Sequence, residues 1–420
     1  MRILYLSQLV PYPADAGPKI RSYHVLQYLA EAGHQVTLLA FRRESDKPES
    51  VEHLRQYCGE VHSVPMRRSR VQDARHLVQS LLSGHPFLIS RDSMGTMHLA
   101  VRRLVASHAF DAVHADQLWM AQYALAAGNY YRGKGRLQTV LDQHNAVYLI
   151  PERMAAGTSN PIKRAILRVE SRSLSRYEVE TCQRFDHVVW VTAEDQTAVR
   201  RQQAVIDNSL LLPGSRNGRG PTQHTVIPIC VDVETKPAIA QAIRPRRVTF
   251  LGGLHWPPNA EGMIWFVREV WPSVRRQVPD AVLTIIGKNP PAEIANSASV
   301  ADDIEVMGYV ADPTPYLAET AAFIAPLHAG GGMRVKIIDA WSWGLAVVST
   351  SIGAEGTLYR DEGNLLIADS ASTFAQAVVR LLRQPALMAQ LGAAGRHTVE
   401  TQYDWRRVYQ AWDQIYPSKF

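Results

Sequence analysis

Hydrophobic positions along the chain repeat with two alternating periods, which predict strands and helices in turn. An apolar run at 2–6 precedes a loop and a helix that begins at Pro18 and carries apolar residues at helical spacing. Gly33 suits the positive φ of a helix C-terminus, and a second buried strand follows at 35–41. Strands that alternate with helices in this way are typical of a parallel sheet covered by helices.

The alternation continues through the first half and restarts after a polar, proline-bearing boundary at 236–246. Further strands are predicted at 111–114, 139–142, 188–192 and 225–229, and in the second half at 247–251, 281–287, 304–307, 322–326 and 345–350. Helices are predicted at 260–278, 333–343 and 404–415. The Gly- and Pro-rich stretch 213–221 predicts a surface loop.

This pattern predicts an α/β protein of two Rossmann-like, doubly wound domains that face a cleft. The N-terminal domain is placed at residues 1–240 and the C-terminal domain at 241–420, with the last helix able to pack back on the N-terminal domain. A chain of 420 residues is long enough for two cores. Ligands of open α/β sheets bind at the carboxyl ends of the strands, so a ligand is expected in that cleft.

Composition predicts the cellular location of the protein and argues against several classes of protein. Hydrophobic residues make up 46% and charged residues 20%, a typical globular balance. No apolar run approaches the ~18 residues of a membrane span, and the N-terminus lacks the features of a signal peptide, so a cytoplasmic protein is expected. Three widely spaced cysteines, Cys58, Cys182 and Cys230, favour neither a disulfide framework nor a zinc site.

The net charge of +6 lies in the first half, where residues 1–240 hold 29 Lys and Arg against 22 Asp and Glu. Basic residues cluster at 66–70 and recur at nearly four-residue spacing through 162–180. Two interpretations stay open: solvated helix faces, or contact with an anionic membrane on its inner face. No recognition motif for nucleic acid is present, so no nucleic-acid partner is expected.

A glycine-rich segment carries the most specific local signal. Gly330, Gly331 and Gly332 join a predicted strand to a predicted helix whose first turn holds Arg334 and Lys336. Glycine lets backbone amides approach an anion, and cations at a helix N-terminus are unfavourable unless an anion binds there. We therefore expect a diphosphate at this position. The alternative is a loop with solvated cations and a Lys336–Asp339 pair.

Several motifs then resemble the family-4 retaining glycosyltransferases of bacterial polysaccharide assembly, which have the GT-B fold. They cover almost the whole C-terminal half and include Phe250-Leu251-Gly252-Gly253, Trp256-Pro257-Pro258-Asn259, Pro279-Asp280-Ala281, Gly308-Tyr309-Val310 and the run from Pro326 to Gly356. In the N-terminal half the match is looser: Pro11-Tyr12-Pro13, Gly17, Asp142, His144-Asn145 and Val231-Asp232.

The resemblance implies a nucleotide diphosphate sugar as donor and a saccharide, or a lipid-linked saccharide, as acceptor. It places Gly287 and Val310 around the nucleobase and Asp339 on the ribose hydroxyls. It places His144 near the transferred sugar. Retention is explained in this family by attack on the face that the nucleotide leaves.

Departures from the family pattern concern the charged groups. The first Glu of the EX7E pattern would fall at Gly331, and the Arg and Lys that often follow the first strand of the C-terminal domain are missing from 254–259. Arg334 and Lys336 are proposed to act in their place on the diphosphate. Gly17-Pro18 replaces the usual Gly-Gly pair near the N-terminus.

The acceptor side is less well marked. Asp116 and Gln117 follow a predicted strand and are candidates there, although either could cap a helix that starts near Leu118. His144 could also be a buried structural or capping residue. No metal motif stands out and no cofactor is expected, because helix N-termini and cations can stabilise a leaving diphosphate. Two alternative functions remain, a sugar-nucleotide 2-epimerase and a non-catalytic nucleotide- or protein-binding relative.

Overall fold

The computed structural model describes residues 1–131, 133, 135–210, 221–242, 246–300 and 302–417. All but the last residue of the loop predicted at 213–221 lies outside these ranges. The chain divides into two compact units. The first comprises Met1–Cys230, Gly331–Met333 and Trp405–Phe420, and the second comprises Val231–Gly330 and Arg334–Asp404.

A seven-stranded parallel sheet forms the centre of the first unit. Its strands are β1 (Arg2–Ser7), β2 (Gln35–Arg42), β3 (Glu60–Pro65), β4 (Ala112–Asp116), β5 (Gln138–Gln143), β6 (His187–Trp190) and β7 (Gln223–Val226). Their order is β3-β2-β1-β4-β5-β6-β7. The chain therefore leaves β1 in one direction and returns beside it at β4, as in doubly wound folds.

Helices cover both faces of this sheet. They are α1 (Gly17–Glu31), α2 (Pro48–His53), α3 (Arg70–Ser83), α4 (Phe87–Arg91), α5 (Gly95–Ser107), α6 (Leu118–Tyr130), α7 (Leu149–Gly157), α8 (Pro161–Cys182) and α9 (Ala193–Leu210), with a 3-10 turn at Leu54–Gln56. Successive side chains of β1 enter different cores, since Ile3 and Tyr5 lie in one apolar cluster and Leu4 and Leu6 in the other.

The second unit repeats the design with six parallel strands. They are β8 (Arg247–Leu251), β9 (Val282–Ile286), β10 (Ile304–Gly308), β11 (Thr320–Ala325), β12 (Val347–Ser349) and β13 (Leu366–Ile367), in the order β10-β9-β8-β11-β12-β13. Both sheets are thus doubly wound and parallel, which confirms the predicted fold class.

The helices of this unit are shorter and two of them flank a π-helical turn. They are α10 (Pro257–Trp265), α11 (Trp271–Gln277), α12 (Ala292–Val300), α13 (Thr314–Ala318), α14 (Val335–Ser342), α15 (Ser351–Ala354), α16 (Ala371–Arg383) and α17 (Pro385–Gln402), and the π turn is Phe266–Val270. The chain then returns to the first unit as α18 (Trp405–Val408) and a 3-10 segment, Tyr409–Gln414.

Candidate active site

Each sheet has one point where its strand order reverses, and polar residues collect at both. In the first unit this point lies between β1 and β4, which end at Ser7 and Asp116. In the second unit it lies between β8 and β11. The loop after β8 contains Gly252, and the loop after β11 contains Gly330. Ligands of open α/β sheets bind at such points, so each unit is described from there.

Asp116, at the end of β4, is held in a fixed orientation. Its Oδ2 accepts hydrogen bonds from the hydroxyls of Ser7 and Ser22, each at 2.8 Å. Its Oδ1 lies 2.9 Å from Nε2 of His144, and neither residue is more than 7% exposed. The side chain therefore faces the histidine and does not cap α6.

A second buried carboxylate, Asp142 on β5, is paired with Arg21 from α1. The guanidinium donates from Nε and Nη2 to the carboxylate at 2.7–3.0 Å and from Nη1 to the carbonyls of Ile227 and Pro228. Burial opposes ionisation, but Arg21 outweighs it and holds the pKa of Asp142 far below its usual range. The pair is fully buried and fully hydrogen-bonded, as a buried ion pair must be to persist.

These charges set the protonation state of two neighbouring histidines in opposite ways. Burial disfavours a charged ring at His144, but the carboxylates of Asp116 and Asp142 outweigh it and raise its pKa to about 9. Burial dominates at His114, lowering its pKa to about 4, and its Nδ1 lies 2.8 Å from the hydroxyl of Tyr416. At neutral pH His144 is thus a cation and His114 is neutral.

Asp116, Asp142 and His144 also offer three potential metal-ligand atoms within 4.8 Å of one another. A metal-binding imidazole must be neutral, and its carboxylate partners need available lone pairs. His144 carries a proton over the neutral range, and the oxygens of Asp142 are already bonded to Arg21. A metal at this cluster would have to displace that proton and the contacts of Asp142 with Arg21.

Gln117 combines backbone strain with a buried polar group. Its φ of 75° and ψ of 160° lie in a region that residues other than glycine rarely occupy, at a cost of about 1–3 kcal/mol. The strain is tied to the site, because its backbone N–H donates to the carbonyl of Asp142 at 2.9 Å. Its side-chain Nε2 is buried without a hydrogen-bond partner among the residues described.

Two further carboxylates hold the loop that carries His144. Glu178 of α8 accepts hydrogen bonds from the backbone N–H groups of Val147 and Tyr148 and from the Gln143 amide. Asp195 of α9 accepts from the backbone N–H of Ala146 at 2.8 Å. Burial raises the pKa of Glu178 to about 8 even though these donors favour its ionised form. The loop is therefore fixed at both of its ends by buried acceptors.

In the second unit, Gly287 lies where the loops after β8 and β9 touch. A Cβ at this position would lie 2.0 Å from the carbonyl oxygen of Gly252, so no other residue fits. The Gly287 N–H donates to the carbonyl of Gly308 at 2.7 Å, two residues before Val310. The two positions assigned to the nucleobase by resemblance thus lie at the ends of neighbouring strands.

Lys336, in the first turn of α14, has no carboxylate partner in the described part of the chain. Its Nζ donates to Oδ1 of Asn259 at 2.7 Å and lies 4.4 Å from the centroid of the Phe250 ring. Burial and then the charge of Arg334 lower its pKa to about 7. Asn259 lies in the first turn of α10, the helix after β8, so Lys336 reaches the region where the family's own cations are missing.

Arg334 lies beside the glycine segment. Its guanidinium would be 3.1–3.3 Å from a Cβ at Gly330, whose φ of 125° also favours glycine. Its Nε donates to the carbonyl of Ile352, and Glu355 is a distant ion-pair partner at 3.8 Å. Gly331 and Gly332 complete the connection between β11 and α14.

The proposed Lys336–Asp339 pair does not form, because Asp339 pairs with Lys236 instead. Lys336 and Asp339 lie one turn apart on α14 but contact different partners. Asp339 contacts Lys236, whereas the hydrogen-bond partner of Lys336 is the neutral amide of Asn259. Gly17, the remaining predicted position, is the first residue of α1. The structure thus brings Asp116, His144 and Gln117 together in the first unit and Arg334 with Lys336 in the second.

Two doubly wound units with polar groups at their switch points define the architecture of a GT-B glycosyltransferase. Residues 16–214 match the model of the glycosyl transferase 4-like domain, and residues 245–384 match that of glycosyl transferases group 1. The chain belongs to the family-4 glycosyltransferases. Neither an epimerase nor a non-catalytic relative is favoured by these matches.

Similar proteins cover the chain to different extents. A protein of Klebsiella pneumoniae described as an uncharacterized 44.6 kDa protein in the cps region is 22% identical over 98% of both chains. A GDP-mannose-dependent phosphatidylinositol monomannoside mannosyltransferase of Mycobacterium tuberculosis is 32% identical over 32% of this chain and 38% of its own length. Anabaena HepE, solved with UDP-glucose, aligns over 100% of both chains with a TM-score of 0.67 at 14% identity.

Among the described helices, none combines the length and apolar character needed to cross a membrane.

Proposed function

We propose that this glycosyltransferase moves a hexosyl or related sugar, with retention, from a nucleoside diphosphate sugar to a saccharide acceptor of cell-surface polysaccharide synthesis. The observation that carries this proposal is the ammonium of Lys336, held near Arg334 and bonded to a neutral amide. Two cations at the start of a helix are unfavourable until an anion binds. A diphosphate supplies that anion.

Charge develops on the diphosphate as the sugar leaves, and the same groups then stabilise it more strongly. The bond between the anomeric carbon and the phosphate oxygen breaks while the acceptor hydroxyl oxygen bonds to that carbon on the same face. The hydroxyl proton passes to the departing phosphate oxygen. Fixed cations that need no reorganisation, such as Lys336 and Arg334, are worth several kcal/mol in such a step.

His144 is assigned to the transferred sugar. Its raised pKa keeps the ring charged, so it serves as a hydrogen-bond donor and not as a general base. Asp116 and Gln117 lie beside it at the end of β4 and are assigned to the acceptor side. The strain at Gln117 supports this, because strained backbone is concentrated at functional sites.

The names of the similar proteins support the substrate classes. HepE was solved with UDP-glucose, the mycobacterial enzyme is described as GDP-mannose-dependent, and the Klebsiella relative is described as a protein in the cps region. We extend to this chain only the nucleoside diphosphate sugar and the polysaccharide setting. A lipid-linked acceptor at the inner face of a membrane, with the protein in the cytoplasm or bound peripherally, belongs to the same proposal.

A thermal-shift panel with UDP, GDP, ADP and TDP tests the donor site. A ligand that binds only the folded state adds about 2.7 kcal/mol at 100 times its dissociation constant, enough to measure. One diphosphate should stabilise the protein well above the others, and its sugars should then be tested for transfer, with NMR of the product to establish the anomeric configuration. No stabilisation by any of them would contradict the proposal.

Transfer is also proposed to need no bound metal, because cations of the protein neutralise the diphosphate. Treatment with EDTA should leave the initial rate of transfer unchanged within about twofold, well under the 1.4 kcal/mol that corresponds to a tenfold change. A rate that is lost with EDTA and restored by Mg²⁺ or Mn²⁺ would assign that role to a metal instead.

A further inference from the structure

Trp256, in the loop between β8 and α10, is open to water to an extent that is unusual for a tryptophan. Of the nine tryptophans, all of which lie in the described ranges, five are at most 3% exposed and three are half-buried, whereas Trp256 is 42% exposed. Its indole forms no hydrogen bond and no ring contact with any other residue that the structure describes. A large aromatic ring stabilises a fold by burial and contact, so this one contributes little to the second unit.

The position of Trp256 in the helix is also one that tryptophan does not suit. It is the N-cap of α10, where Ser, Thr, Asp and Asn are preferred because a side-chain oxygen can accept from the N–H groups of the first turn. An indole has only a donor, and the side chain of Trp256 makes no capping hydrogen bond. Residues that fail to serve the local structure are expected at functional sites, so this position suggests a role outside the helix.

The backbone that carries the indole is nevertheless held firmly. Pro257 and Pro258 follow directly and restrict φ at the start of α10. The carbonyl of Trp256 accepts from the N–H of Asn259 at 3.0 Å, and its own N–H donates to the carbonyl of Gly253 at 3.3 Å. An exposed ring on a fixed backbone loses little conformational freedom when a ligand covers it, which favours binding.

Asn259 connects this turn to Lys336, the cation assigned to the diphosphate. Its Nδ2 donates to the carbonyl of Gly253 at 2.8 Å, and its Oδ1 accepts from Nζ of Lys336 at 2.7 Å. The same Nζ would lie 3.2 Å from a Cβ at Gly252. The turn from Gly252 to Asn259 therefore contacts the cation and also carries the exposed indole.

We propose that the indole of Trp256 packs against the pyranose ring of the donor sugar and so helps to select it. In a nucleoside diphosphate sugar the anomeric carbon is bonded to a phosphate oxygen, so the sugar lies beside any group that binds the diphosphate. The C–H groups on a pyranose face suit a flat aromatic ring, and the indole N–H can donate to a hydroxyl at its edge. The inference rests on the proposed function, because it requires the diphosphate at Lys336.

Quenching of tryptophan fluorescence by acrylamide tests this contact in the full chain, because Trp256 is the tryptophan most open to a solute. UDP is compared with UDP-glucose, and GDP with GDP-mannose. The nucleotide sugar that binds should reduce quenching of the wild type, whereas its diphosphate alone should leave quenching near the level without ligand. Trp256→Phe should show no difference between the two ligands, because the reporting indole is absent.

Affinities of three variants separate contact with the sugar from stability. Trp256→Ser supplies a capping hydroxyl, so its melting temperature should be at least that of the wild type. It should bind the nucleotide sugar about tenfold more weakly and the diphosphate normally, because only the contact with the sugar is lost. Trp256→Phe keeps a smaller aromatic face and should lose only about threefold. Tyr130→Ala, which removes an exposed ring at the end of α6, is the control and should bind both ligands like the wild type.

Several outcomes would overturn the assignment of Trp256 to the donor sugar. One is wild-type affinity of Trp256→Ser for the nucleotide sugar. Equal protection by the diphosphate alone would assign the indole to the nucleotide, and protection by free glucose or mannose would assign it to the acceptor saccharide. A wild type that transfers sugar while its indole stays unprotected would contradict only this inference. Protection by the nucleotide sugar without transfer to any acceptor would contradict only the proposed function.

Discussion

The charged side chains at the ends of β4 and β5 interact strongly because they are buried, not because they are numerous. Burial opposes the ionised form of Asp142, and Arg21 together with a protonated His144 compensates this cost. The result is a group of two basic and two acidic side chains, none of them more than 7% exposed. Removing one member leaves an unpaired buried charge, which is far more costly than removing an exposed ion pair.

His144→Gln gives the first prediction. The folded-state pKa of His144 is about 9, above its ordinary value near 6.5, so its proton stabilises the fold fully below about pH 6.5. The stability difference between wild type and variant should therefore shrink as the pH rises from 6.5 through 9. Transfer should fall by about 10²-fold, as when a charged donor to a transition state is removed.

Denaturant titrations at several pH values measure the first effect and initial rates the second. His114→Gln is the matched control, because the pKa of His114 is lowered to about 4. Its difference from wild type should be constant between pH 6.5 and 9 and should change only as the pH falls from 6.5 to 4. An unchanged transfer rate in His144→Gln would make this histidine structural.

Lys336→Met separates binding from stability. The pKa of Lys336 is lowered, so its charge is a cost to the folded state below about pH 7 that disappears above its unfolded value near 10.5. Methionine fills the same space without the charge. We expect a melting temperature at least as high as that of wild type at pH 7, and a loss of about 10²-fold in transfer and of the nucleotide-induced shift.

Arg268→Met is the control, because it also replaces a cation of the second unit by methionine. Arg268 is exposed and paired with Glu293. This variant should retain transfer. Lys336→Met with wild-type turnover would refute its assignment to the diphosphate.

At this scale, sequence reasoning proposed single residues for the site but could not name their partners. It selected Asp116, His144, Arg334 and Lys336 from their positions after predicted strands or in a helix start. It missed Arg21, although a charged residue on the apolar face of α1 was a signal. The Arg21–Asp142 pair joins residues 121 positions apart, and no local pattern specifies such a contact.

The loop that carries His144 depends on α8, which is an element well removed in sequence. Glu178 presents one carboxylate to two backbone N–H groups and one amide of this loop. The position of this loop therefore depends on how α8 packs. A loop held in this way is preorganised and need not be ordered by substrate.

Glu178→Gln should disrupt this loop above pH 8, where Glu178 is ionised and both of its oxygens accept. The new amide nitrogen cannot accept, so at least one N–H of Val147 or Tyr148 loses its partner, at about 1–3 kcal/mol. We expect a lower melting temperature and a reduced turnover number. Thermal unfolding and initial rates measure both, and the nucleotide-induced shift should remain because the predicted donor residues lie in the second unit.

Glu180→Gln makes the same change of a carboxyl group to an amide two residues away, at an exposed position of α8, and should resemble wild type. Equal behaviour of the two variants would show that the loop does not depend on the Glu178 contacts.

Elements were predicted best where they are buried on both faces. The strand at 247–251 matches β8, and the predicted strand at 35–41 differs from β2 by one residue. The edge strand β3 was missed because Glu60, His62 and Ser63 interrupt its apolar pattern, and it is only half-buried. The helix predicted at 260–278 is interrupted by a π turn at Phe266–Val270, just before Pro272, which lacks the N–H that a regular α-helix needs.

In the whole molecule the chain leaves the first unit, forms the second and then returns. The last segment contributes Trp405, Tyr409, Trp412 and Tyr416 to one of the two cores of the first unit. Arg21 lies 5.9 Å from the Tyr409 ring and 5.5 Å from that of Trp412, so the segment also covers the buried ion pair. The first unit is thus complete only when the last residues of the chain have been added.

A chain that ends at Asp404 should therefore lack a stable first unit. Removing large buried aromatic side chains costs about 3–5 kcal/mol each, so four of them together cost about 12–20 kcal/mol, as much as or more than the ~5–15 kcal/mol that stabilises a typical domain. Calorimetry should show the loss of one transition, while the preferred nucleoside diphosphate still stabilises what remains, since the predicted donor residues Gly287, Lys336 and Asp339 belong to the second unit. The stability of the first unit in Trp412→Ala should lie between that of the wild type and that of the shortened chain. We expect its free energy of unfolding to be about 3–5 kcal/mol below that of the wild type. If the shortened chain melts like the full one, the C-terminal segment contributes little to the first unit, and the stability of the Arg21–Asp142 pair must come from α1 and β5 alone.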